Sequence, residues 1–230
     1  GVISDFEMAQ ELIRQFLKRL GRNSVFSYRR GILAIPDNLT EVERKSVEDV
    51  VLNTGCAKVY LVESAVAAAL GANLPINLPT ASLIVDIGGG TTDVAIISMG
   101  GTVVSKTLKV AGDKLNEDII NFVRDEFKLA IGEPTAEFIK MQIGSAMPLG
   151  EKLEIGLRGR DLATGLPKEI VVKDTQIRSA IAKSIRSITD AIHEVIEIAP
   201  PELAGDMLKQ GIYLCGGGAM LRGIDALVER

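Results

Sequence analysis

Ser82-Leu-Ile-Val-Asp-Ile-Gly-Gly-Gly-Thr-Thr-Asp-Val-Ala-Ile96 holds two apolar runs, 82–87 and 94–97, separated by three glycines and two threonines. Short apolar runs bounded by turn residues read as buried strands. Gly88, Gly89 and Gly90 carry no Cβ, so the backbone between the strands can take positive φ and bring its N–H groups against an anion. Thr91 and Thr92 add hydroxyl donors to the same turn. Asp86 lies at the mouth of the first strand, where a carboxylate is compatible with phosphate if a divalent cation or its water shell lies between them. We read the stretch as a phosphate cradle. The plain alternative is a glycine-rich hairpin that binds nothing.

A second triplet strengthens the first reading. Ile212-Tyr-Leu-Cys215 is another short apolar run, followed by Gly216, Gly217 and Gly218, after which Ala219-Met-Leu-Arg-Gly223 is expected to open a helix. Strand, glycines, helix is a layout that lets backbone approach a flat or anionic ligand. Two such loops suggest the two walls of one nucleotide cleft. Neither continues into Gly-Lys-Ser or Gly-Lys-Thr, and neither is G-x-G-x-x-G in a βαβ unit, so P-loop and dinucleotide-fold readings are poor.

Composition narrows the function classes. The 230 residues are 47% hydrophobic and carry a net charge of −4, enough apolar content for a sizeable core and more than one domain. No apolar run reaches the ~18–20 residues that a spanning helix requires, and no signal-peptide pattern opens the chain. Cys56 and Cys215 sit in apolar contexts and read as buried free thiols, which fits a reducing compartment. His193 is the sole histidine, so metal sites built on His and Cys are excluded in practice. The acidic balance and the absence of Trp argue against nucleic acid as a partner. Because the chain opens on Gly1, we expect a piece of a longer protein.

Along the chain, 5–20 has helical spacing of Phe6, Ile13, Phe16, Leu17 and Leu20 and stops at Gly21. The following polar loop sets Val25 and Phe26 among Arg22, Arg29 and Arg30. It reads either as a surface loop with a tucked aromatic or as an apolar tip that enters an anionic membrane surface. Thr40-Glu-Val-Glu43 is a capping box. Strands at 32–35 and 58–62, each followed by a helix, imply parallel pairing and place Glu63 and Ser64 where open α/β sheets hold ligands. Residues 73–79, with two prolines, mark a domain boundary. Beyond the cradle come a hairpin at Gly100-Gly101 and a helix from Gly112-Asp113 to Phe127. A helix at 135–145 puts Glu137 and Lys140 one turn apart, a surface ion pair or a donor and acceptor set for ribose or adenine. Arg158 to Gly165 reads as a turn-rich connection between strands at 151–157 and 169–173, and Asp174 as the cap of a helix to about Ile198.

On these motifs the chain resembles the actin, Hsp70 and hexokinase superfamily and, within it, the MreB family of bacterial actins. Val85 to Ala95 resembles the second phosphate loop, and Gly211 to Gly223 the adenosine loop. Val110-Ala-Gly-Asp113, Ala136 to Lys140, Ile143 to Ala146 and above all Arg158 to Pro167 resemble MreB in particular. The resemblance implies an α/β, actin-like ATPase fold of two lobes, with mixed sheets flanked by helices on RNase H-like cores, here incomplete. It would divide the chain into 1–76 as part of the first lobe, 77–111 with 174–230 as the second lobe's core, and 112–173 as that lobe's insertion.

The resemblance further implies ATP with Mg²⁺ as cofactors, the metal meeting Asp86 through water. Gly88, Gly89, Gly90, Thr91 and Thr92 would hold phosphate. Gly216, Gly217, Gly218 and Ala219 would hold adenosine, Glu137 and Lys140 match the family's adenosine contacts, Asp113 would lie by the sugar and metal, and Gly112 would join the same nucleotide-binding set. Val25 and Phe26 fall at the family's membrane loop. Expected partners are further copies in a filament, the inner membrane surface and wall-synthesis proteins. The expected place is cytoplasmic, at the inner face of the cell membrane, where such filaments guide wall synthesis and rod shape.

Two departures matter. The family's first phosphate loop, an Asp-Leu-Gly-Thr pattern, and its last C-terminal elements are not in this sequence, so this piece alone is expected to bind ATP weakly. Where the family reads Glu-Pro, this chain reads Ser64-Ala65, with Glu63 one residue off. Ser64 thus stands in the water-positioning glutamate's place, and a catalytic set of Glu63, Ser64, Thr91 and Thr92 implies a slow or switch-like ATPase. The alternatives on the same fold are an Hsp70-like chaperone ATPase, which needs a following substrate domain, and a sugar kinase, which needs a general-base Asp near the cleft. Asp93 and Asp113 stand near the loops without the expected context.

Overall fold

The computed structural model describes residues 5–19, 30–37 and 39–229. Helix α1 (Phe6–Arg19) begins where Asp5 Oδ1 accepts from the Met8 N–H, and it packs beside α2 with no side chain fully buried. Strand β1 (Gly31–Ile35), α2 (Glu41–Leu52), β2 (Val59–Glu63) and α3 (Ser64–Gly71) follow as the expected alternation. β1 and β2 pair in parallel, Ile35 opposite Glu63. The start of α2 is fixed by the capping box, with Thr40 Oγ1 accepting from Glu43 N and the Glu43 carboxylate accepting from Thr40 N.

Strands β3 (Ser82–Ile87), β4 (Thr92–Ser98) and β5 (Gly101–Leu108) form an antiparallel meander. Helix α4 (Gly112–Phe127) leads to the short β6 (Leu129–Ala130), then α5 (Glu133–Ile143) and the antiparallel pair β7 (Glu154–Asp161) and β8 (Pro167–Lys173). The long α6 (Asp174–Glu197) and α7 (Pro201–Gln210) return the chain to β9 (Ile212–Cys215), which joins the meander in parallel beside β3. A single 3₁₀ turn, Gly217–Met220, and α8 (Ile224–Val228) follow. The described residues thus make three sheets, β1-β2, β5-β4-β3-β9 and β6-β7-β8.

The four-stranded sheet is covered on both faces, which is why β3 and β4 read as unbroken apolar runs. Leu83, Val85 and Ile87 pack against residues of α4 and α6, among them Ile119, Ile177 and Ile181. Ile84, Ala95 and Ile97 turn to the other face, against Ala65 and Ala69 of α3.

Three expectations differ in detail. β7 continues through Arg158, Gly159 and Arg160, and the turn lies beyond it, where the Asp161 carboxylate accepts from Ala163 N and Thr164 N. Gly159 is a close-approach residue, since a Cβ there would come within 2.5 Å of the Ala130 carbonyl in β6. Asp174 is the first helical residue rather than the cap, and its carboxylate pairs with Arg178 at 3.0 Å. After the second triplet the chain makes a 3₁₀ turn in place of a regular helix, with Leu221 N bonding Gly218 O.

Candidate functional site

β3 and β9 are neighbours with Asp86 opposite Cys215, so the two glycine triplets leave adjacent parallel strands at the same height. The first triplet is braced from below by the start of α4. Gly112 N donates to Gly88 O and Asp113 N to Gly89 O, at 3.1 and 2.8 Å. Gly88 N closes the turn on Thr91 O. Gly89 and Gly90 are exposed, and their N–H groups bond no acceptor among the described residues, which leaves them accessible to a ligand.

The second triplet depends on conformation. Gly216 has φ 81° and ψ 168°, a region that is essentially restricted to glycine. A Cβ on it would overlap Asp86 Oδ1 and the Ile87 carbonyl, and one on Gly218 would overlap the Ile87 side chain. Gly217 has open space about it. The two loops therefore touch at Ile87 and part above it.

Between them lies a cavity of about 390 Å³. It is walled by Gly88, Gly89, Gly217 and Gly218 of the two loops and by Asp113, Glu137 and Lys140, the Asp113 carboxylate lying beside Gly89. Lys140 Nζ donates to Glu137 Oε2 at 2.7 Å and to Gly112 O at 3.0 Å, so the ion pair ties α5 to the same α4 terminus that braces the first triplet. Burial raises the Glu137 carboxyl, but the Lys140 and Asn116 donors outweigh it and leave the group below its usual range. Of the residues expected at the site, Gly88, Gly89, Gly112, Asp113, Glu137, Lys140, Gly217 and Gly218 meet at this one cavity.

The others have different places. Thr92 is fully buried and its hydroxyl donates to Val110 O at 2.7 Å. Thr91 Oγ1 donates to Asp93 Oδ2 at 3.2 Å, and Thr107 donates to the other Asp93 oxygen. Both hydroxyl protons are thus engaged within the protein, Thr91's on Asp93 and Thr92's on Val110. Gly90, Gly216 and Ala219 shape the loops without lining the cavity. Val25 and Phe26 lie outside the described residues. Met141, Met220, Leu221 and Arg222 also line the cavity, beyond the residues expected from sequence.

Asp86 is half-buried; burial and then the Asp93 charge raise its carboxyl above the ordinary value, opposed by the Cys215 thiol. The thiol is in turn pushed up to about 11 by burial and by Asp86. No cluster of three or more His, Cys, Asp or Glu that could hold a metal occurs among the described residues. A lone carboxylate fits a hard cation whose other ligands are phosphate and water, the usual coordination of Mg²⁺.

Glu63 and Ser64 occupy the end of β2, outside that cavity. Glu63 is held by Arg44 at 3.3 Å and by the Thr102 hydroxyl at 2.8 Å. Ser64 Oγ donates to Ile35 O at 3.0 Å. Next to them the Asp37 carboxyl is raised to about 6 by burial and the Glu63 and Asp93 charges, opposed more weakly by the Ala65 N–H and Arg44. Folding therefore favours the protonated acid, and stability is lost as pH rises from the ordinary carboxyl range through 6. Asp37→Asn is expected to raise stability at pH 7.5 by about 1 kcal/mol, since both carboxyl oxygens are shut off from solvent, and to change nothing near pH 4. Denaturant melts at the two pH values check it.

A meander extended by a parallel strand, glycine loops at adjacent strand ends and a cavity between them define the actin-like ATPase fold. The family model of the MreB/Mbl protein matches residues 1–230, and the chain belongs to that family. It is 41% identical over 228 residues to the cell shape-determining protein Mbl of Bacillus subtilis, covering 99% of this chain and 68% of that one. It is 42% identical over 229 residues to the cell shape-determining protein MreB of Escherichia coli, covering 99% and 66%. Among solved structures, MreB5 of Spiroplasma citri bound to ADP superposes with a TM-score of 0.93 at 43% identity, covering 99% of this chain and 68% of that one. Its AMPPNP-bound form covers the same shares at 43% identity and a TM-score of 0.94. The chain thus spans about two thirds of the length of the relatives it matches.

Proposed function

We propose that this protein binds ATP with Mg²⁺ in the cleft between its two glycine loops. It assembles into filaments of its own copies at the inner face of the cell membrane, where it organises wall synthesis and maintains rod shape. The observation that carries the reading is the convergence of Gly88, Gly89, Gly217, Gly218, Glu137 and Lys140 on one cavity. The ADP and AMPPNP complexes of MreB5 and the shape-determining relatives support it. The free N–H groups of the first loop would take phosphate, and the Glu137–Lys140 pair would meet the sugar and base. Mg²⁺, when bound, would offset phosphate charge, with Asp86 reached through water.

The separate β1-β2 sheet supports assigning 1–76 to one lobe, and the four-stranded and three-stranded sheets support 77–111 with 174–230 as core and 112–173 as insertion. Val25 and Phe26, set among arginines, would dip into anionic lipid. No described helix is long and apolar enough to cross a membrane.

Hydrolysis in this reading is slow. Ser64 offers no carboxylate to orient water, its hydroxyl is given to Ile35, and Glu63 is committed to Arg44 and Thr102. Ser64 is also the first residue of α3, where a carboxylate is favoured by the helix terminus. In the complete protein, Ser64→Glu is expected to raise phosphate release roughly 10-fold or more; an unchanged rate would count against the slow-ATPase reading. Sedimentation with ATP, with and without anionic liposomes, tests the rest. Pelleting with ATP and co-sedimentation with lipid support the filament, whereas sugar-dependent ADP release would point to a kinase.

A further inference from the structure

Asn116 lies on the face of α4 that packs against α5 and is only 3% exposed. Its Nδ2 donates to Glu137 Oε2 at 2.7 Å, the same oxygen that accepts from Lys140. Its own Oδ1 is shut off from solvent and has no partner among the described residues. An orphaned acceptor destabilises a core, and an apolar residue of the same size would avoid it. What the amide supplies in return is the second donor to Glu137. With Oε2 doubly occupied, Glu137 keeps one oxygen free, and its half-exposed side chain lines the same cavity as the glycine loops. An ionised carboxylate accepts and never donates, so the free oxygen suits a hydroxyl.

We propose that Asn116 is a positioning residue for sugar recognition: by fixing Glu137 with one oxygen free, it makes the cleft prefer nucleotides that carry a ribose 2′-hydroxyl over their 2′-deoxy forms. This rests on the reading of the cavity as a nucleotide cleft. Asn116 does not reach the ligand, because both of its polar atoms are enclosed or engaged on Glu137. The neutral amide also matters. The charged groups about Glu137 are Lys140 on its own helix, Asp113 on α4 and Arg222 beyond the 3₁₀ turn, all lining the same cavity. A second acid in direct contact would force two carboxyls to share a proton.

The test measures binding of ATP and 2′-deoxy-ATP by calorimetry between pH 5.5 and 8 in the complete protein and in Asn116→Leu, Asn116→Asp and Glu137→Gln. Wild type is expected to prefer ATP by roughly 10-fold, with a ratio that is flat across this range. Asn116→Leu should bring the ratio to within about 2-fold of unity while its thermal midpoint stays at or above that of wild type. Asn116→Asp should make ATP affinity depend on pH near neutrality. General destabilisation would weaken both ligands together and leave the ratio intact. A wild-type ratio in Asn116→Leu overturns the proposal, as does a wild type that binds both nucleotides equally. A wild type that binds neither overturns the nucleotide cleft itself, a different failure from the loss of sugar preference alone.

Discussion

Gly216→Ala is expected to lower stability by about 3–5 kcal/mol and to weaken ATP binding roughly 100-fold or more. The residue has φ 81° and ψ 168°, where any Cβ is strained, and here the Cβ would also overlap Asp86 Oδ1 and the Ile87 carbonyl. Backbone cannot swing aside as a flexible side chain can, so relief has to come from moving β9 off β3 or reshaping the loop. Either change pulls the second triplet away from the first. Gly217→Ala is the matched control, because space is open around a Cβ at that position. It should melt close to wild type, so that any loss of affinity in it reports the ligand's approach to the loop rather than loss of fold. Denaturant titration and calorimetry of both variants separate the two effects; equal stability of Gly216→Ala and wild type would refute the account of this loop.

The second large effect is expected at Ile181. Its side chain on α6 is fully buried, in the cluster that joins α6 to Leu83 and Val85 of β3 and to Ile119 of α4. Ile181→Ala removes three heavy atoms from a site whose neighbours are held by a sheet and a second helix. Partial collapse at best gives a loss of about 3 kcal/mol. Because α6 backs the strands that carry the first loop, the variant should also lose ATP affinity as temperature approaches its lowered midpoint, and recover it on cooling. Thermal melts followed by binding at two temperatures would show this.

The sheet and both loops were legible because their signals are local. Ser82–Ile87 and Ile212–Cys215 are short apolar runs closed by glycine triplets, and no competing structure suits three residues without side chains. Capping at Thr40 was equally direct, since both halves of the reciprocal bond lie within four residues. The errors arose where a glycine or an acid serves a distant neighbour. Gly159 looks like a turn residue, yet it is small because β6 presses on β7, and a two-residue strand leaves no periodic trace. Thr92 looks like a phosphate donor, but the hydroxyl faces Val110, eighteen residues on. Asn116 is one polar residue on an apolar helix face, a mark that sequence shows and does not explain until α5 brings Glu137 against it.

The adjacency of β3 and β9 sets a limit on how the protein can respond to what it holds. Strands joined by a hydrogen-bonded ladder keep a spacing of about 4.8 Å, so the two triplets form a rigid floor whose width does not change with the occupant. If the cleft holds ATP as proposed, loss of a terminal phosphate would not be sensed by spreading that floor. Any response would then run through what leans on it: the foot of α4, hung on the Gly88 and Gly89 carbonyls, and the end of β2, where the Glu63 carboxylate accepts from Thr102. In the proposed reading, opening would be a tilting of walls about a fixed base.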